Sequence, residues 1–193
     1  MRKGETPRAR GEQTRARIAD ALIDLLADSE LPPTAKEVAT RAGVSVRLVF
    51  HHFEDMDSLY RAVARTQFDR HWRGLRPAKR ELPFERRIER TVHDRAKLFD
   101  AIAPVRRKAV SLAIRHHDVA QNLETTNRML KQHLEATFAG ELEVTGRERR
   151  ELLAALDAAA SWEAWDRLRH TQGLSRPAAR RVVERTLRAL LLA

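Results

Sequence analysis

The 193-residue chain contains no cysteine, which excludes disulfides, thiolate nucleophiles and Cys-based zinc sites. Glycine is scarce, at 7 residues, while 42% of the chain is hydrophobic; this balance favours an all-helical protein over a β-rich one. No apolar run approaches the roughly 18 residues that a bilayer-spanning helix needs. The opening stretch MRKGETPRARGEQ is charged and lacks the apolar segment of a secretory signal, so a cytoplasmic location is expected. Neither a Gly-rich phosphate loop nor a Gly-x-Ser-x-Gly elbow is present. None of the 8 histidines has a Glu three residues before it, so the Glu-x-x-His pairs of dinuclear carboxylate bundles are missing. His116-His117-Asp118 cannot put both imidazoles on one helix face. No catalytic residue, metal site or cofactor is nominated, and the chain is not expected to be an enzyme.

What is abundant is positive charge. Lys and Arg number 37 against 27 Asp and Glu, a net +10, which points to a polyanionic partner such as nucleic acid. The excess is spread along the chain: residues 1–76 hold 14 basic against 11 acidic residues (+3) and residues 77–193 hold 23 against 16 (+7). Charge alone therefore does not locate a binding site.

The pattern from Thr34 to Asp57 does. Thr34 and Glu37 have the spacing of a capping box, which starts a helix carrying Val38 and Ala39 on its apolar face. Ala42-Gly43-Val44 ends that helix, with Gly43 free to take the positive φ that a Cβ opposes. Ser45 is a favourable N-cap for a second short helix. In that helix Val49 and Phe53 share the inner face, leaving Val46, Arg47, Phe50 and His51 on the others. Two short helices joined by a tight turn, the second exposing an Arg and a His, have the form of a helix-turn-helix, whose second helix enters the DNA major groove.

Residues 1–13 read as a flexible basic arm, in which Arg2, Lys3, Arg8 and Arg10 either follow a phosphate backbone or minor groove or simply form a solvated tail. Thr14 begins a first helix with Ile18, Ala21, Leu22, Leu25 and Leu26 in one stripe; Leu31-Pro32-Pro33 closes it. Asp55 caps a fourth helix over about 56–73, with Leu59, Val63 and Phe68 inward. Gly74 to Pro77 marks a boundary, so residues 14–76 are read as the DNA-binding domain with its connecting helix, and 77–193 as a second, helical domain. Its expected helices run from about Phe84 to Ala101, then past a kink or restart at Pro104 to about Ile114. Further helices are expected over Val119 to Phe138, Thr145 to His170 with a Thr145/Glu148 capping box, and from Ser175 onward. Trp162 and Trp165, three apart, either line a ligand pocket or act as core anchors; Phe99 and Met129 have the same two readings.

At these residues the chain resembles the TetR family of transcriptional repressors. The matching positions are Ile18, Ala21 and Leu25; Thr34, Val38 and Ala39; Ala42, Gly43, Val44 and Ser45; Phe50 and Phe53; Asp55 and Leu59. Four positions depart from the family's pattern: Arg47 replaces a usual Gly or Pro, Leu48 a small Thr or Ser, Phe50 a Tyr, and Met56 a Lys. The Tyr and the Lys are ordinary phosphate anchors, so both are absent here, while Arg47 can reach a phosphate or guanine O6/N7.

The resemblance implies an all-α chain with an N-terminal three-helix DNA-binding domain and a C-terminal helical effector-binding and dimerisation domain. It implies a homodimer formed through the last two helices, about 145–192, where Ala154, Ala155, Ala158, Ala159 and Ala160 allow close approach. The implied partners are double-stranded DNA with a palindromic operator and a small-molecule effector that releases the repressor. The expected DNA-binding set is Thr34, Lys36, Ser45, Val46, Arg47, Phe50, His51 and His52, and the pocket candidates are Phe99, Met129, Trp162 and Trp165. Two alternatives follow from the absent anchors and the charge: a helical small-molecule-binding protein or enzyme whose degenerate helix-turn-helix no longer binds DNA, and a DNA coater indifferent to sequence.

Overall fold

The computed structural model describes residues 7–28, 32–72, 74–144 and 146–192, apart from the side chains of Pro7, Arg65, Phe68, Asp69 and His71. Among them there is no strand, and the fold is all-α. The helices are α1 (Pro7–Asp28), α2 (Ala35–Ala42), α3 (Val46–His52), α4 (Met56–Trp72), α5 (Phe84–Ala113), α6 (His117–Thr137), α7 (Gly146–Ala159), α8 (Trp162–Asp166) and α9 (Arg176–Leu191), with a π-helical turn at Arg167–Thr171. None of these helices is long and apolar enough to cross a membrane.

The first helix starts at Pro7, not at Thr14. A proline suits a helix's first turn, where its missing N–H has no partner to lose. Arg8 and Glu12 then pair one turn apart at 3.4 Å, and Gly11 is a weak but tolerated helix former. Residues 7–13 of the expected arm are thus helical; Arg2 and Lys3 lie outside the described residues.

The chain packs as two compact units. The first comprises residues up to Phe68 together with Pro104–Ala120, and the second Asp69–Ala103 together with Gln121–Ala193. The cut expected near Pro77 is therefore not a single one, because the stretch 104–120 packs with the first unit. In that unit Ile18, Leu22, Val38, Val49, Phe53, Leu59 and Val63 are buried together with Val105, Ala109 and Leu112. The side chain of Phe68, expected to face inward, lies outside the described residues. His116 Nε2 lies 2.7 Å from Asp57 Oδ2, and Arg61 Nε lies 3.2 Å from Asp118 Oδ2.

The second unit buries Ile88, Val92, Leu98 and Phe99 of α5, Leu130 and Leu134 of α6, Leu153 and Leu156 of α7, and Val183 and Leu187 of α9. Three boundaries differ from expectation. Helix α5 runs unbroken from Phe84 to Ala113 with Pro104 inside it. Helix α6 starts at His117, which puts Asp118 in its first turn. The helix expected from Thr145 to His170 breaks at Ala160–Ser161. There Ser161 leaves the helical conformation and its Oγ accepts from the Ala164 N–H at 3.0 Å, capping α8. Thr145 lies outside the described residues, and with it the second capping box.

Candidate nucleic-acid interface

The turn between α2 and α3 follows from its residues. Both halves of the Thr34/Glu37 box are made: the Thr34 N–H donates to Glu37 Oε2 at 2.7 Å, and the Glu37 N–H donates to Thr34 Oγ1 at 3.3 Å. These bonds, the Thr34 backbone N–H first, hold the Glu37 carboxyl below its ordinary pKa. At the other end Gly43 adopts φ 64°, and the N–H groups of Gly43 and Val44 return to the carbonyls of Thr40 and Ala39. This paired closure satisfies two carbonyls that the helix end would otherwise strand. Ser45 then accepts from the Leu48 N–H at 3.2 Å and starts α3.

Two arginines of α1 fix the pair of helices. Arg17 donates to the Ala42 carbonyl at 2.5 Å, at the C-terminus of α2. Arg15 donates to the His52 carbonyl at 2.7 Å, at the C-terminus of α3, and its guanidinium lies 4.2 Å from the Phe53 ring centroid. Cations suit helix C-termini, where the backbone dipoles leave partial negative charge. Neither arginine is marked by the sequence pattern. Their partners are backbone carbonyls some 25 to 37 residues away, which carry no side-chain signature.

On α3 the inner face holds Val49, while Val46, Arg47, Phe50 and His51 point to solvent; Phe50 is 45% exposed. Arg47 makes no hydrogen bond or ion pair among the described residues. The His51 and His52 rings meet edge to face at 5.4 Å. The pKa of His52 is lowered, first by partial burial and then by the neighbouring His51 and Arg15. Lys36 is exposed on α2. The structure thus brings Lys36, Ser45, Val46, Arg47, Phe50, His51 and His52 into one compact helix pair. Thr34 sits in the capping box expected of it, where its N–H and hydroxyl both donate to Glu37 Oε2, so its donors are committed within α2.

The four pocket candidates do not converge. Trp162 lines a cleft of about 310 Å³ with Leu130, Lys131, Asp157 and Ser161, and the other three candidates are absent from its walls. Phe99 is core, and Met129 is half-buried. Trp165 is an anchor: its indole N–H donates to Asp100 Oδ1 at 2.8 Å, and Arg176 of α9 reaches the same carboxylate at 3.0 Å. Among the described residues no group of three or more His, Asp or Glu is placed to hold a metal ion.

Residues 18–63 match the family model of bacterial regulatory proteins of the tetR family. The whole chain is similar in fold to a transcriptional regulator of Rhodococcus sp. RHA1 (TM-score 0.72, 22% identity, covering 92% of this chain and 96% of that one). It is also similar to a tetR-family transcriptional regulator of Streptomyces coelicolor (TM-score 0.71, 18% identity, covering 94% and 87%). A third likeness is to a TetR-like transcriptional regulator of Rhodococcus sp. RHA1 (TM-score 0.65, 18% identity, covering 98% and 100%). No curated protein matches the chain. The N-terminal domain is of the TetR type, and the fold of the whole chain is that of TetR-family transcriptional regulators.

Proposed function

We propose that a homodimer of this chain is a sequence-specific repressor that lays one α3 into each of two successive major grooves of a palindromic operator and is released by a small-molecule effector. The observation that carries this reading is the outer face of α3. A guanidinium without a protein partner stands there beside Val46, Phe50 and His51, on a helix pinned at its C-terminus by Arg15. Arg47 is the base reader of this reading, through guanine O6/N7, and Val46 and Phe50 supply apolar contacts to thymine methyls. Lys36, Ser45, His51 and His52 serve the phosphates. Thr34 contributes by holding α2 in place. Dimerisation uses the outer faces of α7 and α9, where Ala154, Ala158, Val182 and Ala189 are exposed. One such helix reads only a few base pairs, so a symmetric pair about 34–36 Å apart is needed for an operator of useful length.

The test is selection of bound sequences from random duplex DNA at about 0.15 M salt, near the cellular ionic strength, with Arg47→Ala in parallel. The reading expects a palindrome that is lost or relaxed in the variant. Binding without a consensus would favour a coater. Absence of binding would favour the second reading, a helical ligand-binding protein, for which Phe50 and Met56 in place of the usual anchors speak.

A further inference from the structure

Three arginines of α5 are buried, Arg87, Arg95 and Arg106, and the two in the second unit are treated differently. Arg87 meets Glu141 with both terminal nitrogens, at 2.8 and 2.5 Å, and also donates to the Thr137 carbonyl at 3.1 Å. Arg95, two turns further on, is 2% exposed, and no carboxylate comes within ion-pair distance of it among the described residues. Its Nη1 donates to the Ala160 carbonyl at 2.7 Å and its Nη2 to the Leu130 carbonyl, while its Nε–H has no partner. Asp157 acts on it only at longer range, and burial pushes the guanidinium down to about 9. A buried cation with no counter-charge is costly to keep, whatever hydrogen bonds it makes.

The surroundings are equally incomplete. Arg87 reaches Thr137, whereas Arg95 reaches Leu130, so α5 and α6 run antiparallel. Thr91 lies midway between the two arginines and His133 between their two α6 partners, which sets both at one level. Both are buried, at 1% and 4% exposure, and the Thr91 hydroxyl and both ring nitrogens of His133 have no hydrogen-bond partner. Burial first, then Arg95, pushes His133 down to about 4; the Arg76 main chain opposes this without reaching hydrogen-bond geometry. His133 is therefore neutral, with one ring nitrogen to donate and one to accept. Four stranded polar atoms in one layer are unusual in a folded interior, where nine in ten or more such groups are paired.

We infer that this layer is the anion-binding end of the effector site, and that its ligand is a small organic carboxylate with an apolar body. The carboxylate accepts from the Arg95 Nε–H, the Thr91 hydroxyl and one His133 N–H. The body would pack on one side of the layer, against the apolar Phe99 one turn further along α5. A monoanion matches the single unpaired cation, whereas a phosphate dianion would overcharge the layer. Water would satisfy the hydrogen bonds but leave the charge unanswered. The inference rests on the effector reading above for its regulatory meaning, and on these residues alone for the binding.

The probe is benzoate, with benzamide as the neutral twin and chloride as the bare anion, titrated into the full chain by calorimetry and thermal unfolding. Benzoate is expected to bind saturably and raise the unfolding temperature, and to bind at least about tenfold more tightly than benzamide or chloride, the scale of one charge-assisted hydrogen bond. Arg95→Met should abolish the response while still unfolding cooperatively and still binding DNA. His133→Leu should weaken it about tenfold. No response of the wild type to benzoate or hexanoate, an equal response to benzamide or chloride, or an undiminished response in Arg95→Met would overturn the inference. Adding benzoate to the complex with the selected duplex separates the two claims. Binding without release keeps the site and sinks the effector reading. DNA binding with no benzoate binding does the reverse.

Discussion

The α1–α3 region and the α5–α6 layer use the same device, an arginine fork on backbone carbonyls, in opposite settings. Arg15 and Arg17 keep their charges in water while they grip the ends of α3 and α2. Arg87 and Arg95 take theirs into the interior. In water the fork is a clamp of modest strength and the charge is incidental. Inside, the charge dominates, and its counter-ion decides whether the arrangement holds. The same contrast applies to the unpaired cations. Arg47 waits at the surface at little cost, whereas Arg95 waits in the core at a high one.

The largest expected effect tests the interior half. Arg87→Met strands Glu141, whose pKa is held low chiefly by that guanidinium, and should cost about 3 kcal/mol in a denaturant titration. Adding Glu141→Leu should recover most of the loss; if it does not, the pair matters for shape and not for charge. A comparable effect is expected from pH. The folded-state pKa of His133 lies near 4, below its unfolded value of roughly 6.5, so the unfolded chain takes up the proton first as pH falls. The stability it contributes is whole above about pH 6.5 and drains away down to about pH 4, by about 3 kcal/mol. His133→Leu should flatten that slope, and an unchanged slope would place the loss elsewhere. The smallest effect belongs to the surface: Arg17→Ala should cost about 1 kcal/mol. A loss as large as that of Arg87→Met would erase the distinction between the two regions.

The two regions also differ in how far the sequence reveals them. The capping box at Thr34, the turn at Gly43, the cap at Ser45 and the outward face of α3 are local patterns. Their causes lie within a few residues of their effects, so spacing alone exposes them. The break at Ala160 is different. The alanine-rich run around it continues a helical period, and the carbonyl freed there is taken by Arg95, 65 residues away. Arg15 and Arg17 likewise act on carbonyls 37 and 25 residues away. Pro104 shows a local rule overridden: of the kink or restart expected there, no restart occurs, and the helix continues through it. Aromatic character marks the pocket candidates, whereas the unsatisfied groups of the α5–α6 layer are an arginine, a histidine and a threonine, which periodicity marks merely as misplaced polar residues.

The proposed function turns on α3 reading base sequence through Arg47. Its most direct test is the affinity ratio between the selected palindrome and a scrambled duplex of equal length and composition, for the wild type and for Arg47→Ala at about 0.15 M salt. A base-reading Arg47 gives a ratio of about a thousandfold or more for the wild type, and a fall of roughly ten- to a hundredfold in the variant, with binding to the scrambled duplex nearly unchanged. A wild-type ratio near one, or an equal loss on both duplexes in Arg47→Ala, would contradict it.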